Sequence, residues 1–297
     1  MPELPEVETI ARGVAQRVRG ERVESVWLSG RKQTLKSPPR AIAQTLEGAR
    51  IDDVHRTGKH IVFELSRDEG RQRAAAGGSR RSLEARRPAA GRKPPALLAH
   101  PQFIVHLGMT GSLTVVPAEK EMAKHTHAVL KLSSGRELRF VDPRMFGKLA
   151  VVKERFRAPG HEPLDVGAEA FAALFKRTKA TIKSALLNQK LLSGVGNIYA
   201  DEALFRARVR PRRRGASLTH AELRKLYQSL QAVLNESIKA GGTTFSDYVD
   251  AEGEWGNYQF DLRVYGREGE PCVRCHTPIK RIVITGRSAH YCPHCQK

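Results

Sequence analysis

The chain has 297 residues, 40% of them apolar, and carries 51 lysines and arginines against 31 aspartates and glutamates, a formal charge of +20 with an isoelectric point near 10.2. This length and apolar share can build a packed core and point to two domains. So one-sided a charge makes an extended polyanion, nucleic acid first, the expected partner; charge kept only for solubility is the alternative. No run of 18 apolar residues is present, which excludes a spanning helix, and the acidic opening Met1-Pro2-Glu3-Leu4-Pro5-Glu6 is unlike a secretory signal, so the expected location is the cytoplasm.

Val7, Ile10, Ala11, Val14 and Val18 recur at helical spacing and predict an amphipathic helix over 3–18. Loss of the initiator methionine would expose the secondary amine of Pro2. An α-amino group titrates at roughly 7.7–8.0, against about 10.4 for lysine, so part of it is neutral at physiological pH. Such an amine forms Schiff bases with sugar aldehydes, and Glu3 beside it can shuttle protons. On the residues alone, an ordinary helix start is the preferred reading of Pro2 and Glu3, ahead of catalysis.

Short β-branched stretches follow at 22–28, 59–65, 102–107, 112–116, 126–132, 136–141 and 148–152, bounded mostly by Gly, Pro or Ser; they predict a β sandwich or barrel ending near residue 158. Between Arg67 and Ala96 the pattern breaks into an Arg-, Ala-, Gly- and Pro-rich stretch with nine basic and three acidic residues, leaving +14 of the +20 on the rest of the chain. It reads as a disordered insertion that either adds nonspecific DNA affinity or is simply solvated.

Helical periodicity returns near Glu169 and predicts helices over 179–192 and 198–206, then a long one through Leu223, Leu226, Leu230, Val233 and Leu234. Thr219 and Glu222 form a candidate capping box at the start of the long helix, and Gly241-Gly242 follow its end.

All four cysteines fall in the last 26 residues, as Cys272-x2-Cys275 and Cys292-x2-Cys295 with sixteen residues between the pairs. Four thiolates on two knuckles suit one tetrahedral structural zinc ion, with no open position for metal-activated water; two disulfides are the alternative, disfavoured in a reducing compartment. Lys280, Arg281 and Arg287 would decorate the hairpin between the knuckles, as phosphate grips or as solvated charges.

The run Met1-Pro2-Glu3-Leu4-Pro5-Glu6-Val7-Glu8-Thr9, the stretches His106–Leu113 and Asp142–Gly147, the turn Gly194-Val195-Gly196-Asn197-Ile198-Tyr199-Ala200 and the four-cysteine finger resemble, in the same order, the formamidopyrimidine-DNA glycosylase family. The resemblance spans nearly the whole chain; the Arg67–Ala96 insertion departs from it. It implies an α+β, multi-domain protein: an N-terminal β sandwich with an N-terminal helix (1–158), a helical domain with a helix-two-turns-helix element (165–262) and a zinc ribbon (263–297). The implied activity is that of a bifunctional glycosylase and abasic-site lyase acting as a monomer on damaged double-stranded DNA, with one structural zinc and no redox cofactor or catalytic metal. It would excise oxidised purines, 8-oxoguanine and formamidopyrimidines, and cut the strand by β,δ-elimination.

By the same resemblance, Pro2 is the nucleophile and Glu3 its acid/base partner. Lys59 is a proton donor in strand scission, although its neighbours Gly58 and His60 differ from the family pattern. Arg287 is a catalytic residue that grips a phosphate and takes part in the proton transfer of δ-elimination. Met109, Arg144 and Phe146 form a wedge that fills the space left by an extruded nucleotide; without the family, Met109 and Phe146 read as core and Arg144 as a turn residue. Asn197, Lys179, Lys183 and His125 are DNA contacts, with a simple helix cap as the alternative for Asn197. The stretch from Gly241 to Arg267 resembles the family's lesion-recognition loop. Two rivals stand beside this reading: the sister endonuclease VIII type, which prefers oxidised pyrimidines, and a noncatalytic DNA-binding zinc protein.

Overall fold

The structure, a computed structural model, describes residues 2–67, 101–244 and 249–297. The insertion expected from Arg67 to Ala96 therefore lies, beyond Arg67, outside the described residues, as does 245–248 of the expected recognition loop.

Helix α1, Leu4–Val18, opens the chain. It is followed by β1 (Val23–Leu28), α2 (Pro39–Leu46), β2 (Arg50–Thr57), β3 (His60–Ser66), β4 (Gln102–His106), β5 (Ser112–Pro117), β6 (Thr126–Leu132), β7 (Arg136–Val141) and β8 (Lys148–Val152). The strands form two four-stranded antiparallel sheets, ordered β1-β6-β7-β5 and β2-β3-β4-β8. Alternating apolar residues such as Leu113, Leu130, Leu138, Phe63, Phe103 and Val105 meet between them as one buried core.

Helix α1 joins the two halves. Its Val7, Ile10, Val14 and Val18 belong to the sandwich core, whereas Leu4 belongs to the core of the helical half. That second core is built by α3 (Ala168–Lys176), α4 (Ile182–Leu186), α5 (Asn197–Ala207) and α6 (His220–Lys239). Ala251, from the segment after α6, returns to the sandwich core, and its carbonyl accepts from the Val115 amide. The two halves are thus tied by α1 and by the segment after α6. A two-stranded ribbon, β9 (Lys280–Ile284) and β10 (Arg287–Tyr291), completes the fold.

Two elements were not expected from the sequence. Helix α2 is only eight residues long, and β2 carries the adjacent acids Asp52 and Asp53, which weaken its strand signal. One expectation is corrected: the helix predicted over 179–192 is reduced to Ile182–Leu186, because the Thr181 hydroxyl accepts from the Ser184 amide and starts the helix there, leaving Lys179 in the preceding loop. The capping box of α6 forms as expected, with the Thr219 hydroxyl accepting from the Glu222 amide and the Glu222 carboxylate accepting from the Thr219 amide.

Candidate active site

The first residues of the chain cross the Gly194-Val195-Gly196 turn. The Leu4 amide donates to the Gly194 carbonyl at 3.1 Å, and Gly194 has a φ of +103°, a conformation that favours glycine. A Cβ at 196 would stand 2.0 Å from Cδ of Glu3, so the glycine there is what lets the carboxylate in. Oε1 of Glu3 accepts from the Ile198 amide at 3.3 Å. Glu3 therefore satisfies a free N–H of α5, the position at which Asn197 was an alternative cap; Gly196 is the N-cap residue itself. The other oxygen, Oε2, is buried without a protein partner.

Glu3 is only 4% exposed, and burial pushes its carboxyl up to about 7, against the pull of the Lys59 ammonium. Beneath it lies a second buried acid, Glu6, which accepts from the Glu3 amide at 2.7 Å, from the Thr243 amide at 2.8 Å and from the Tyr199 hydroxyl. Burial raises Glu6 as well. The chain start is thus fixed from both sides. Sequence reasoning missed Glu6, although a carboxylate on the face shared by Ile10 and Val14 was a readable signal.

Lys59 follows Gly58 in the turn between β2 and β3, where Gly58 has a φ of +61°. The turn is held by Glu162, which accepts from the Gly58 amide and pairs at 2.7 Å with Arg56; Arg56 also pairs at 2.7 Å with Glu8 of α1. Burial lowers the pKa of Lys59, opposed by Glu3 and Glu6 and reinforced by Arg287. Glu3, Lys59, Met109, Asn197, Tyr265 and Arg287 all line one cleft of about 960 Å³ between the sandwich, the α4–α5 turns and the ribbon. Pro2, next to Glu3, is buried at the chain start.

Met109 and Phe146 are 38% and 50% exposed, which excludes the core alternative for both. Arg144 stacks its guanidinium over the Phe146 ring at 4.9 Å. His125 and Lys179 are exposed, and neither has an ion-pair partner among the described residues. Lys183 does not match its expected place. It is fully buried, pairs at 2.5 Å with the equally buried Asp201 and donates to the Ser288 carbonyl, so it offers no ammonium to a phosphate. Asp201 also accepts from the His290 amide at 2.9 Å.

Asn197 opens α5, and its Nδ2 donates to the Ser288 hydroxyl at 3.1 Å. Together these bonds dock the ribbon on the helical half, while Thr285 meets Ser184 at 2.6 Å at the ribbon tip. Arg287 follows that tip and is exposed toward the cleft. Tyr265, which falls in the stretch resembling the recognition loop but was not singled out from the sequence, enters the cleft because the Glu202 carboxylate accepts from three successive amides, those of Arg263, Val264 and Tyr265, at 2.9–3.1 Å.

The sulfurs of Cys272, Cys275, Cys292 and Cys295 all lie within 4.8 Å of one another, with separations of 3.4, 3.5 and 4.0 Å among them. A zinc–thiolate tetrahedron with bonds of about 2.3 Å has edges near 3.8 Å, so this set fits one zinc ion, and all four cysteines are free of disulfides.

Three family models match the chain: the formamidopyrimidine-DNA glycosylase N-terminal domain at residues 1–149, its H2TH domain at 159–249, and the zinc finger found in FPG and IleRS at 269–297. The formamidopyrimidine-DNA glycosylase of Solibacter usitatus is 42% identical over 300 residues, with all of both chains covered. Among solved structures, a Lactococcus lactis FPG variant bound to Fapy-dG-containing DNA is similar with a TM-score of 0.82 at 28% identity, again over 100% of both chains. The MutM (FPG) protein of Thermus thermophilus is similar with a TM-score of 0.78 at 37% identity, covering 99% of this chain and 98% of that one.

Proposed function

The chain belongs to the formamidopyrimidine-DNA glycosylase family of DNA repair glycosylases, and from that premise we propose that it excises oxidised purines through Pro2 and then cleaves the abasic site by β,δ-elimination. The observation that carries this reading is the convergence of Glu3, Lys59, Asn197 and Arg287 on one cleft, with Pro2 preceding Glu3 in the chain. Once Met1 is removed, the neutral Pro2 amine attacks C1′ of the damaged nucleotide, forming a C–N bond as the bond to the base breaks. Opening the sugar ring to the Schiff base leaves a negative charge on the ring oxygen that needs a proton. Glu3, held near 7, keeps a protonated fraction at neutral pH and can supply it.

The lowered Lys59 ammonium can release a proton to a departing group more readily than an exposed lysine. Arg287, exposed on the cleft, offers guanidinium donors suited to a flanking phosphate, with Asn197 and Tyr265 lining the cleft beside it. Zinc bound by the four cysteines would hold the ribbon, and with it Arg287, in shape. Met109, Arg144 and Phe146 combine a flexible thioether, a guanidinium and an aromatic ring, suited to replace lost stacking and to bond an orphaned base. That set supports the purine-excising reading over the endonuclease VIII type.

The test compares duplexes containing 8-oxoguanine opposite cytosine with duplexes containing thymine glycol, with the product ends analysed. Preferred excision of 8-oxoguanine, leaving a one-nucleotide gap with phosphate at both ends, is expected. Preference for thymine glycol moves the chain to the pyrimidine-excising reading, and binding with no cleavage of either would leave a noncatalytic damage-binding protein.

A further inference from the structure

Met109 and the Arg144–Phe146 pair lie on different turns, 107–111 and 142–147, yet the two turns share one buried side chain. Asp142 is 0% exposed. Its Oδ1 accepts from the Thr110 hydroxyl at 2.6 Å and from the Arg144 amide at 3.3 Å, and its Oδ2 accepts from the Gly147 amide at 2.7 Å. Its own carbonyl lies 3.0 Å from Nε2 of the buried His127, and its amide donates to the His125 carbonyl at 2.9 Å. The carboxylate thus bonds the residue after Met109, the amide of Arg144 and the residue after Phe146.

The backbones interlock at the same place. A Cβ on Gly108 would come within 2.4 Å of the Gly147 nitrogen, and one on Gly147 within 2.5 Å of Phe140 and 3.0 Å of Asp142 Oδ2. Leu107 anchors the first turn in the sandwich core, but the tips that carry Met109, Arg144 and Phe146 are exposed, and two such tips would ordinarily move separately. Here one charged acceptor and a glycine-to-glycine contact leave them no independent path.

We infer that Asp142 is a positioning residue that makes the two turns one rigid wedge, so that Met109, Arg144 and Phe146 enter DNA together. The inference rests on the wedge reading given above. Asp142 is itself fully buried; it ties together the turns that carry the thioether and the stacked guanidinium–ring pair.

In Asp142→Asn an amide group must face at least one of three donors, so one strut is lost at constant volume. Thr110→Val removes the hydroxyl that donates to Asp142 Oδ1 and accepts from the Arg144 amide at 3.3 Å while leaving the carboxylate in place, and Thr110→Ser restores it. The readout is the stopped-flow fluorescence of 2-aminopurine placed beside 8-oxoguanine, which follows insertion, alongside β-elimination at a preformed abasic site in single-stranded DNA, where no duplex has to be opened. Asp142→Asn is expected to slow insertion by about 10- to 100-fold and Thr110→Val by about tenfold, with the single-strand reaction little changed and Thr110→Ser close to the parent. If Asp142→Asn fails to fold, Thr110→Val decides. Slow insertion in Met109→Ala and Phe146→Ala but normal insertion in Asp142→Asn and Thr110→Val overturns the shared strut and leaves the wedge standing. Normal insertion in all four shows that the wedge reading itself is wrong, and the strut falls with it.

Discussion

Glu3 and Gly196 share one point in space: the carboxylate of the first occupies the volume that any side chain on the second would fill, 2.0 Å from the position of a Cβ. The glycine at the start of α5 is therefore as much a part of the acid's environment as the burial that raises its pKa.

Gly196→Ala should expel the Glu3 carboxyl from its place against the Ile198 amide. Excision is expected to fall about 100-fold or more, the scale of a lost general acid, while affinity for an uncleavable abasic-site analogue changes little. Single-turnover rates alongside binding isotherms check it.

Glu3→Gln should be more stable than the parent at pH 8. Glu3 is raised to about 7 in the fold from an ordinary 4.5, so the folded state holds the proton more tightly than the unfolded chain does. The stability it contributes is fully present below about 4.5 and is lost as pH rises through 7, by up to about 3 kcal/mol. Gln keeps the acceptor for Ile198 and carries no charge. Urea melts should show the variant ahead at pH 8, with the gap closing toward pH 4.5, and activity should be lost throughout.

Lys183→Met should cost about 3–5 kcal/mol, because it leaves Asp201 charged and fully buried, whereas pairing it with Asp201→Leu should recover part of that loss. Were Lys183 a phosphate contact, its removal would instead reduce the salt dependence of DNA binding. Melts and a salt titration separate the two; an unchanged salt slope is expected.

Removing zinc with a chelator should abolish tight DNA binding and cleavage through loss of the ribbon that carries Arg287. The helical signal should persist, since α3 to α6 form their core without the cysteines. Metal analysis, far-ultraviolet circular dichroism and recovery on adding zinc check it.

Much of this architecture was readable in the residues. β6, β7 and β8 have the bounds their alternation gives, and Thr219 with Glu222 marks the start of α6. What was not readable depends on partners far away in sequence. Lys183 reads as a surface base one turn from Lys179, and only Asp201, 18 residues on, and the Ser288 carbonyl, 105 residues on, make it a buried strut. The cap of α5 comes from Glu3, 195 residues before Ile198, so local spacing offered Asn197 in its place. Short α2 and acidic β2 are fixed by packing rather than by pattern.

The most direct test of the account is borohydride trapping on a duplex with 8-oxoguanine opposite cytosine, using protein whose intact mass shows Met1 removed. A covalent complex mapping to Pro2 and absent in Pro2→Gly is the predicted result. No trapped complex on this or an abasic duplex, despite zinc-replete protein that binds both, would contradict covalent catalysis by the N-terminal proline.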